Sequence, residues 1–196
     1  MVTTQHSTQS SYREMVLEHL FVGEVMKFCW RNAMPRIEIL KSQVDNSGYD
    51  IVLETNAIMR HIQLKSSHVG AATPGVNINM ELGTKPSGCV VWIYFEPETL
   101  EFSHFLWFGQ LPGERLASLV NYKTGTHNKR NAQGIKTERA NIKYLTKAAF
   151  TRLDTIEDVV KALFGEQWDR STDAPEAAAK LDANERDLEL VKAPGR

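Results

Sequence analysis

Asp50, Gln63 and Lys65 are the residues of this chain whose types and spacing suit chemistry. Residues 48–66 read as a β-hairpin. An Ile-, Val- and Leu-rich run over 50–54 is followed by a turn at Thr55, Asn56 and Ala57, then a return over 59–65 with apolar residues at Met59, Ile62 and Leu64. Side chains alternate across a strand, so Gln63 and Lys65 share one face while Ile62 and Leu64 share the other. Asp50 opens the first strand, and hairpin register carries its carboxylate to the end of the second, where Lys65 projects. An acid, an amide and an amine then meet at one end of an otherwise apolar sheet. A hard divalent cation takes oxygen ligands, one or two of them carboxylates, and keeps water for the rest. Asp50, the Gln63 side-chain oxygen and the Leu64 carbonyl are the candidate ligands. Lys65 is placed to orient or deprotonate a water and to offset phosphate charge.

With twelve residues between Asp50 and Gln63, the pattern Gly48-Tyr49-Asp50 then Gln63-Leu64-Lys65 resembles the PD-(D/E)XK nuclease superfamily. There an Asp on one strand is followed by Glu-x-Lys, Asp-x-Lys or, in some branches, Gln-x-Lys on the next. The resemblance implies an α/β, restriction endonuclease-like αβββαβ core with a mixed central sheet. It also implies phosphodiester hydrolysis assisted by Mg²⁺ or Mn²⁺, with DNA the expected substrate because most of the superfamily acts on DNA. Asp50, Gln63 and Lys65 become the expected catalytic residues. Gln63 departs from the commoner Glu and removes one negative charge from the metal site. Two other readings stay open: a member of the superfamily that has lost catalysis and binds nucleic acid or a partner, and a metal-free interaction domain whose hairpin matches by accident.

The elements that must position these residues follow in chain order. Residues 12–32 read as a helix, capped by Ser10 or Ser11 and ended by Met34-Pro35. On its apolar positions Leu17, Leu20, Phe21 and Phe28, Glu24 falls in the middle of the stripe, and a carboxylate there is costly unless paired or metal-bound. The superfamily often draws a metal-binding Glu from such a helix, so Asp50, Gln63 and Glu24 form the expected metal set. The competing reading is a Glu bridged to Lys27 or Arg31. Residues 36–43 read as a first strand and 44–48 as a turn. Ser66 and Ser67 are candidate phosphate donors, whereas His68 reads as an ordinary loop residue.

Between 73 and 86 two signals compete. Thr73-Pro74 suits a helix start, yet Val76, Ile78, Met80 and Leu82 alternate as in a strand. The resemblance implies a crossover helix, which is the expectation. Residues 89–95 are an uninterrupted apolar run, the mark of a strand buried on both faces. A second, antiparallel strand is expected over 100–108, another over 141–147, and a helix over 155–164 capped by Thr155 or Asp154 and closed by Gly165.

The 196 residues, 42% hydrophobic and 24% charged, suit one α/β core. They divide into a nuclease-like domain over 1–165 and an acidic helical tail over 166–196. No apolar run approaches the ~20 residues of a membrane helix, and the first eleven residues lack a signal-peptide core, so a cytoplasmic setting without a membrane partner is expected. Cys29 and Cys89 sit in apolar surroundings and read as buried thiols. Net charge is −1, which advertises nothing, but its distribution does: residues 1–165 hold 18 basic and 16 acidic residues, and 166–196 hold 5 and 8.

From 123 to 147 there are seven basic residues and one acid, Glu138. Residues 112–140 read as loop, and Lys123, Lys129, Arg130, Lys136 and Arg139 become candidate nucleic-acid contacts, since Lys and Arg on a phosphate backbone supply affinity without reading sequence. Nucleic acid, DNA first, is the expected partner, and a homodimer is compatible with the reading. Replacing Lys129 and Arg130 by Ala is expected to weaken DNA binding across unrelated sequences. A salt titration should show a slope flatter by about one unit for every phosphate that is no longer neutralised.

Overall fold

The structure, a computed structural model, describes residues 8–41, 48–126 and 138–166. The chain opens with helix α1 (Ser10–Arg31) and continues through strands β1 (Glu38–Lys41), β2 (Ile51–Thr55) and β3 (Ile58–His68). Strand β4 (Gly75–Asn79) and a 3₁₀ turn (Met80–Thr84) lead to β5 (Gly88–Phe95) and β6 (Phe102–Gly109). Strands β7 (Lys123–Thr126), β8 (Glu138–Thr146) and β9 (Thr151–Leu153) precede helix α2 (Ile156–Phe164). The α/β class and the mixed central sheet expected from the sequence are observed. The acidic tail, apart from Glu166, lies outside the described residues, as do most of the expected 44–48 turn and Lys129, Arg130 and Lys136.

Six strands form the central sheet in the order β1-β2-β3-β5-β6-β9, and three form a smaller sheet, β4-β8-β7. Strands β1, β2 and β3 are an antiparallel meander, and β3 then pairs with β5 in parallel. A parallel neighbour requires a crossover, and here β4 and the 3₁₀ turn supply it. The expected crossover helix is therefore corrected: the alternation of Val76 and Ile78 prevails, because β4 is held by antiparallel pairing to β8. Gly75 permits the close approach of these two strands, since a Cβ there would lie 2.3 Å from the Leu145 carbonyl oxygen.

The central sheet is covered on both faces. On one, Phe21, Val25 and Cys29 of α1 and Val159, Val160 and Leu163 of α2 pack against Ile51, Leu53, Ile62, Val91, Ile93 and Phe105. On the other, Ile78 and Leu145 of the small sheet and Leu82 of the 3₁₀ turn pack against Val90 and Phe108. Strand β5 is buried along its whole length, as its unbroken apolar run requires. Truncating Phe21 or Trp92, both fully buried, would cost about 3–5 kcal/mol.

Local sequence sets the ends of these elements. Helix α2 begins with a capping box: the Thr155 hydroxyl accepts the Asp158 N–H at 3.1 Å, and the Asp158 carboxylate accepts the Thr155 N–H at 3.0 Å. Gly165 closes it at φ +90°. Helix α1 starts without a side-chain cap, at Gln9 rather than at the expected serines. Among the described residues no helix is long and apolar enough to cross a membrane.

The β2–β3 turn is tighter than expected. Only Asn56 and Ala57 separate the strands, both at positive φ, 45° and 62°. A two-residue turn of this kind matches the strand twist and favours Asn followed by Gly. Ala57 carries a Cβ penalty of about 1 kcal/mol in that conformation. Ala57→Gly should therefore raise the urea midpoint, with a gain of about 1 kcal/mol and an unchanged slope.

Candidate active site

Strand β3 has partners on both sides only as far as Ile62. The β2–β3 register ends with Ile51 opposite Ile62, whereas β3 stays paired with β5 out to His68. The Asp50 N–H donates to the Ile62 carbonyl at 2.9 Å, continuing the hairpin by one bond. Beyond it the chain turns away, and the Asp50 carboxylate accepts the Leu64 N–H at 2.6 Å. A carboxylate thus takes the place that a strand partner would fill. A charge-assisted bond of this kind fixes its position more firmly than a neutral one would.

The gap left beside β3 is a cleft of about 380 Å³, lined by Asp50, Leu64, Lys65 and Ser66, by Glu14, Leu17 and Glu18 of α1, by Lys41 at the end of β1, and by Val76 of β4. Three carboxylates and two ammonium groups share it. Glu18 and Lys41 are ion-paired at 2.5 Å, with the Glu18 side chain only 18% exposed. The cleft therefore holds Asp50 and Lys65 together, as the hairpin register anticipates.

Gln63 and Glu24 lie elsewhere. The Gln63 side chain is buried, and its oxygen accepts the Asn79 N–H at 3.3 Å, so it ties β3 to the crossover instead of lining the cleft. Glu24 pairs with Lys27 and lines a separate groove with Leu20, Glu101, Phe102 and Asp154. The reason is the rotation of α1. Its buried stripe is Leu17, Phe21, Val25 and Cys29, while Leu20 is 40% exposed. That turns the core-facing axis by about 60° from the expected one, moving Glu24 to the flank and bringing Glu18 towards the sheet. The apolar spacing 17, 21, 25, 29 is the sequence signal that selects Glu18. Lys41 and Glu14 have no such signal.

The other expected groups are distributed as follows. Ser66 lines the cleft, but the Ser67 hydroxyl accepts the indole N–H of Trp92 at 3.0 Å and is buried. His68 is exposed at the end of β3. Lys123 and Arg139 are exposed on β7 and β8, opposite Tyr144 and Gly125. The expected 112–140 loop is thus in part a paired ladder. Cys29 and Cys89 are free and buried. Burial pushes their thiols up to about 11 and about 12, so both stay protonated at neutral pH and neither is a thiolate nucleophile.

Among the described residues no three His, Cys, Asp or Glu side chains converge as a ready-made metal cluster. A Mg²⁺-type ion asks for less: one or two carboxylates, with water retained on the remaining positions. Asp50 and Glu18 are two carboxylates that line the cleft, Glu18 being paired there with Lys41.

The placement of Gln63 makes a separable prediction. Gln63→Glu buries a carboxylate in the sheet, so it should cost about 1–3 kcal/mol at neutral pH. Burial raises the folded-state pKa of the new group, so the penalty should shrink as pH falls towards 5 and the group protonates. Urea unfolding at pH 7.5 and 5 measures this. A Gln63 that faced a metal would instead give a Glu variant with tighter Mn²⁺ binding and no such penalty.

No family model matches the chain, and no curated protein matches it. Among solved structures it is similar to the bacterial homing endonuclease I-Ssp6803I, at 13% identity and a TM-score of 0.31, over 91% of this chain and 94% of that one. A likeness at that level carries no argument about function.

Proposed function

We propose that the protein is a metal-dependent nuclease that hydrolyses phosphodiester bonds, with DNA as its substrate. The observation that carries the reading is the Asp50 carboxylate, anchored by the Leu64 N–H at the point where β2 leaves β3, in one cleft with Lys65. The order of helix, antiparallel three-strand meander and a fourth strand parallel to β3 adds to it, since the PD-(D/E)XK resemblance implies these parts, although a strand and a 3₁₀ turn stand where it implies a crossover helix.

Asp50 and Glu18 are the residues that would hold Mg²⁺ or Mn²⁺. Such an ion, when bound, lowers the pKa of a coordinated water and offsets the charge that builds on the phosphoryl oxygens. The chain's own groups do the rest. The Leu64 N–H holds the Asp50 carboxylate in the cleft. Lys65 donates from its ammonium group to a non-bridging phosphate oxygen or to the attacking water, and a cation in a partly desolvated cleft stabilises developing negative charge better than bulk water does. Leu17, Leu64 and Ile93 form the apolar floor that limits water access.

A second reading, a nucleic-acid-binding module without catalysis, is favoured by one observation: Gln63 commits its side-chain oxygen to Asn79 and offers the cleft no ligand.

Cleavage separates the two readings. Wild type should cut plasmid or single-stranded DNA in Mg²⁺ or Mn²⁺, and EDTA should stop it. Asp50→Ala should abolish cleavage, Lys65→Ala should reduce it by at least about a hundredfold, and the double variant should be little worse than either, since both side chains serve one transition state. A wild type that cuts neither substrate in either metal would leave only the binding module.

A further inference from the structure

The face of the central sheet that carries Lys65 also carries Arg152 at its far edge. In register, Lys65 on β3 is opposite Trp92 on β5, Trp92 is opposite Leu106 on β6, and Leu106 is opposite Arg152 on β9. Residues paired across a ladder share a face, so these four form one row across four strands. At about 4.8 Å between strands, the row carries Lys65 and Arg152 roughly 14 Å apart along the sheet. In the neighbouring row Ser67, Tyr94 and His104 are opposite one another in turn.

The space between the two ends is bridged by a third cation. The Lys147 ammonium, exposed on the segment between β8 and β9, lies 6.0 Å from the Trp92 ring centre and 5.2 Å from that of Tyr94. Tyr94 in turn stacks on His104, with ring centres 4.5 Å apart and planes 13° from parallel. Burial lowers the pKa of His104 first, Arg152 lowers it further, and Lys147 adds a smaller push, with Asp154 opposing them. Arg152 is 59% exposed and paired with Asp154. The helix-covered side of the sheet presents instead the groove lined by Glu24 and Glu101.

We propose that Lys147, His104 and Arg152 form a phosphate track that continues the Lys65 cleft, carrying the nucleic-acid backbone across β5 and β6 to the β9 edge. The proposal rests on the nucleic-acid reading of the cleft but not on its catalysis. Trp92, Tyr94 and Leu106 are buried, so the backbone would meet the exposed Lys147 and Arg152 side chains that lie outside them, and the aromatic rings beneath Lys147 fix that ammonium without neutralising it. Lys147 closes the basic 123–147 stretch, whereas Lys65 and Arg152 in one row and His104 in the next belong to the central sheet and are brought together only by strand register.

The test is binding in EDTA, where no cleavage occurs, with three fluorescein-labelled probes: a DNA strand of about 20 nucleotides, its duplex, and RNA of the same sequence. Lys147→Met with Arg152→Gln removes two charges while the Met side chain keeps Trp92 and Tyr94 covered. Affinity should fall about tenfold near 0.1 M salt, and the slope of log affinity against log salt should flatten by between about one and two units. Arg152→Gln alone should give roughly half the change in slope, which guards against misfolding of the double variant. The control pair Lys27→Met and Lys161→Met, both exposed on the helix layer, should leave the slope as it is. An unchanged slope in the track variant, an equal loss in the control, or a wild type that binds none of the probes would overturn the proposal. A wild type that shows the slope change yet cuts no DNA in Mg²⁺ or Mn²⁺ would keep the track and end the nuclease reading. One whose cleavage depends on Asp50 but whose slope ignores Lys147 and Arg152 would do the reverse.

Discussion

The rest of the site depends on the bond between the Asp50 carboxylate and the Leu64 N–H, 2.6 Å long. A strand interior to a sheet needs hydrogen-bond partners along both edges. Strand β3 has them up to Ile62 and loses one side beyond it, because β2 begins only at Ile51. Asp50 resolves that mismatch with a charged acceptor. The same step that satisfies the open edge puts a carboxylate beside Lys65 and opens a cleft towards α1. A local defect in strand pairing and a site with chemical potential are one feature.

The defect is tolerable because its surroundings are rigid. Strand β5, buried along its length, holds the far edge of β3 by eight consecutive register pairs. Helices α1 and α2 cover one face, and the crossover strand β4 with its 3₁₀ turn covers the other. Arg60 adds a buried tie, donating to the carbonyls of Gln110 and Ala162 and lying over the Trp107 ring. It joins β3, the end of β6 and α2. Two of its nitrogens have no protein partner among the described residues, a polar cost that accompanies the holding of three elements in place.

Much of this is legible in the sequence because short-range signals dominate there. The hairpin, the meeting of Asp50 with Lys65, the apolar β5 run and the Thr155 to Gly165 helix all follow from periodicity and capping. The crossover is not legible in the same way: Thr73-Pro74 points to a helix and Val76 and Ile78 to a strand, and the partner that decides the matter, β8, is more than 60 residues further along the chain. Glu24 outranks Glu18 in the sequence only while Leu20 counts as core. One exposed leucine rotates a helix face enough to exchange one carboxylate for another. Gln63 shares a strand face with Lys65 as alternation requires, but alternation says nothing of Asn79, which claims its oxygen. The alignment of Lys65 with Arg152 is invisible in the sequence, since only the order β3-β5-β6-β9 brings the two into one row.

Asp50 and Glu18, which line one cleft, are the proposed divalent-cation site on which the nuclease reading turns. Calorimetric titration of Mn²⁺ into wild type, Asp50→Asn, Glu18→Gln and Glu24→Gln tests that site most directly, free of any assay of turnover. The expected result is one ion per chain in wild type, no measurable binding in Asp50→Asn, affinity weakened about tenfold in Glu18→Gln, and wild-type affinity in Glu24→Gln. Binding that survives Asp50→Asn, or that responds to Glu24 and ignores Glu18, would contradict it.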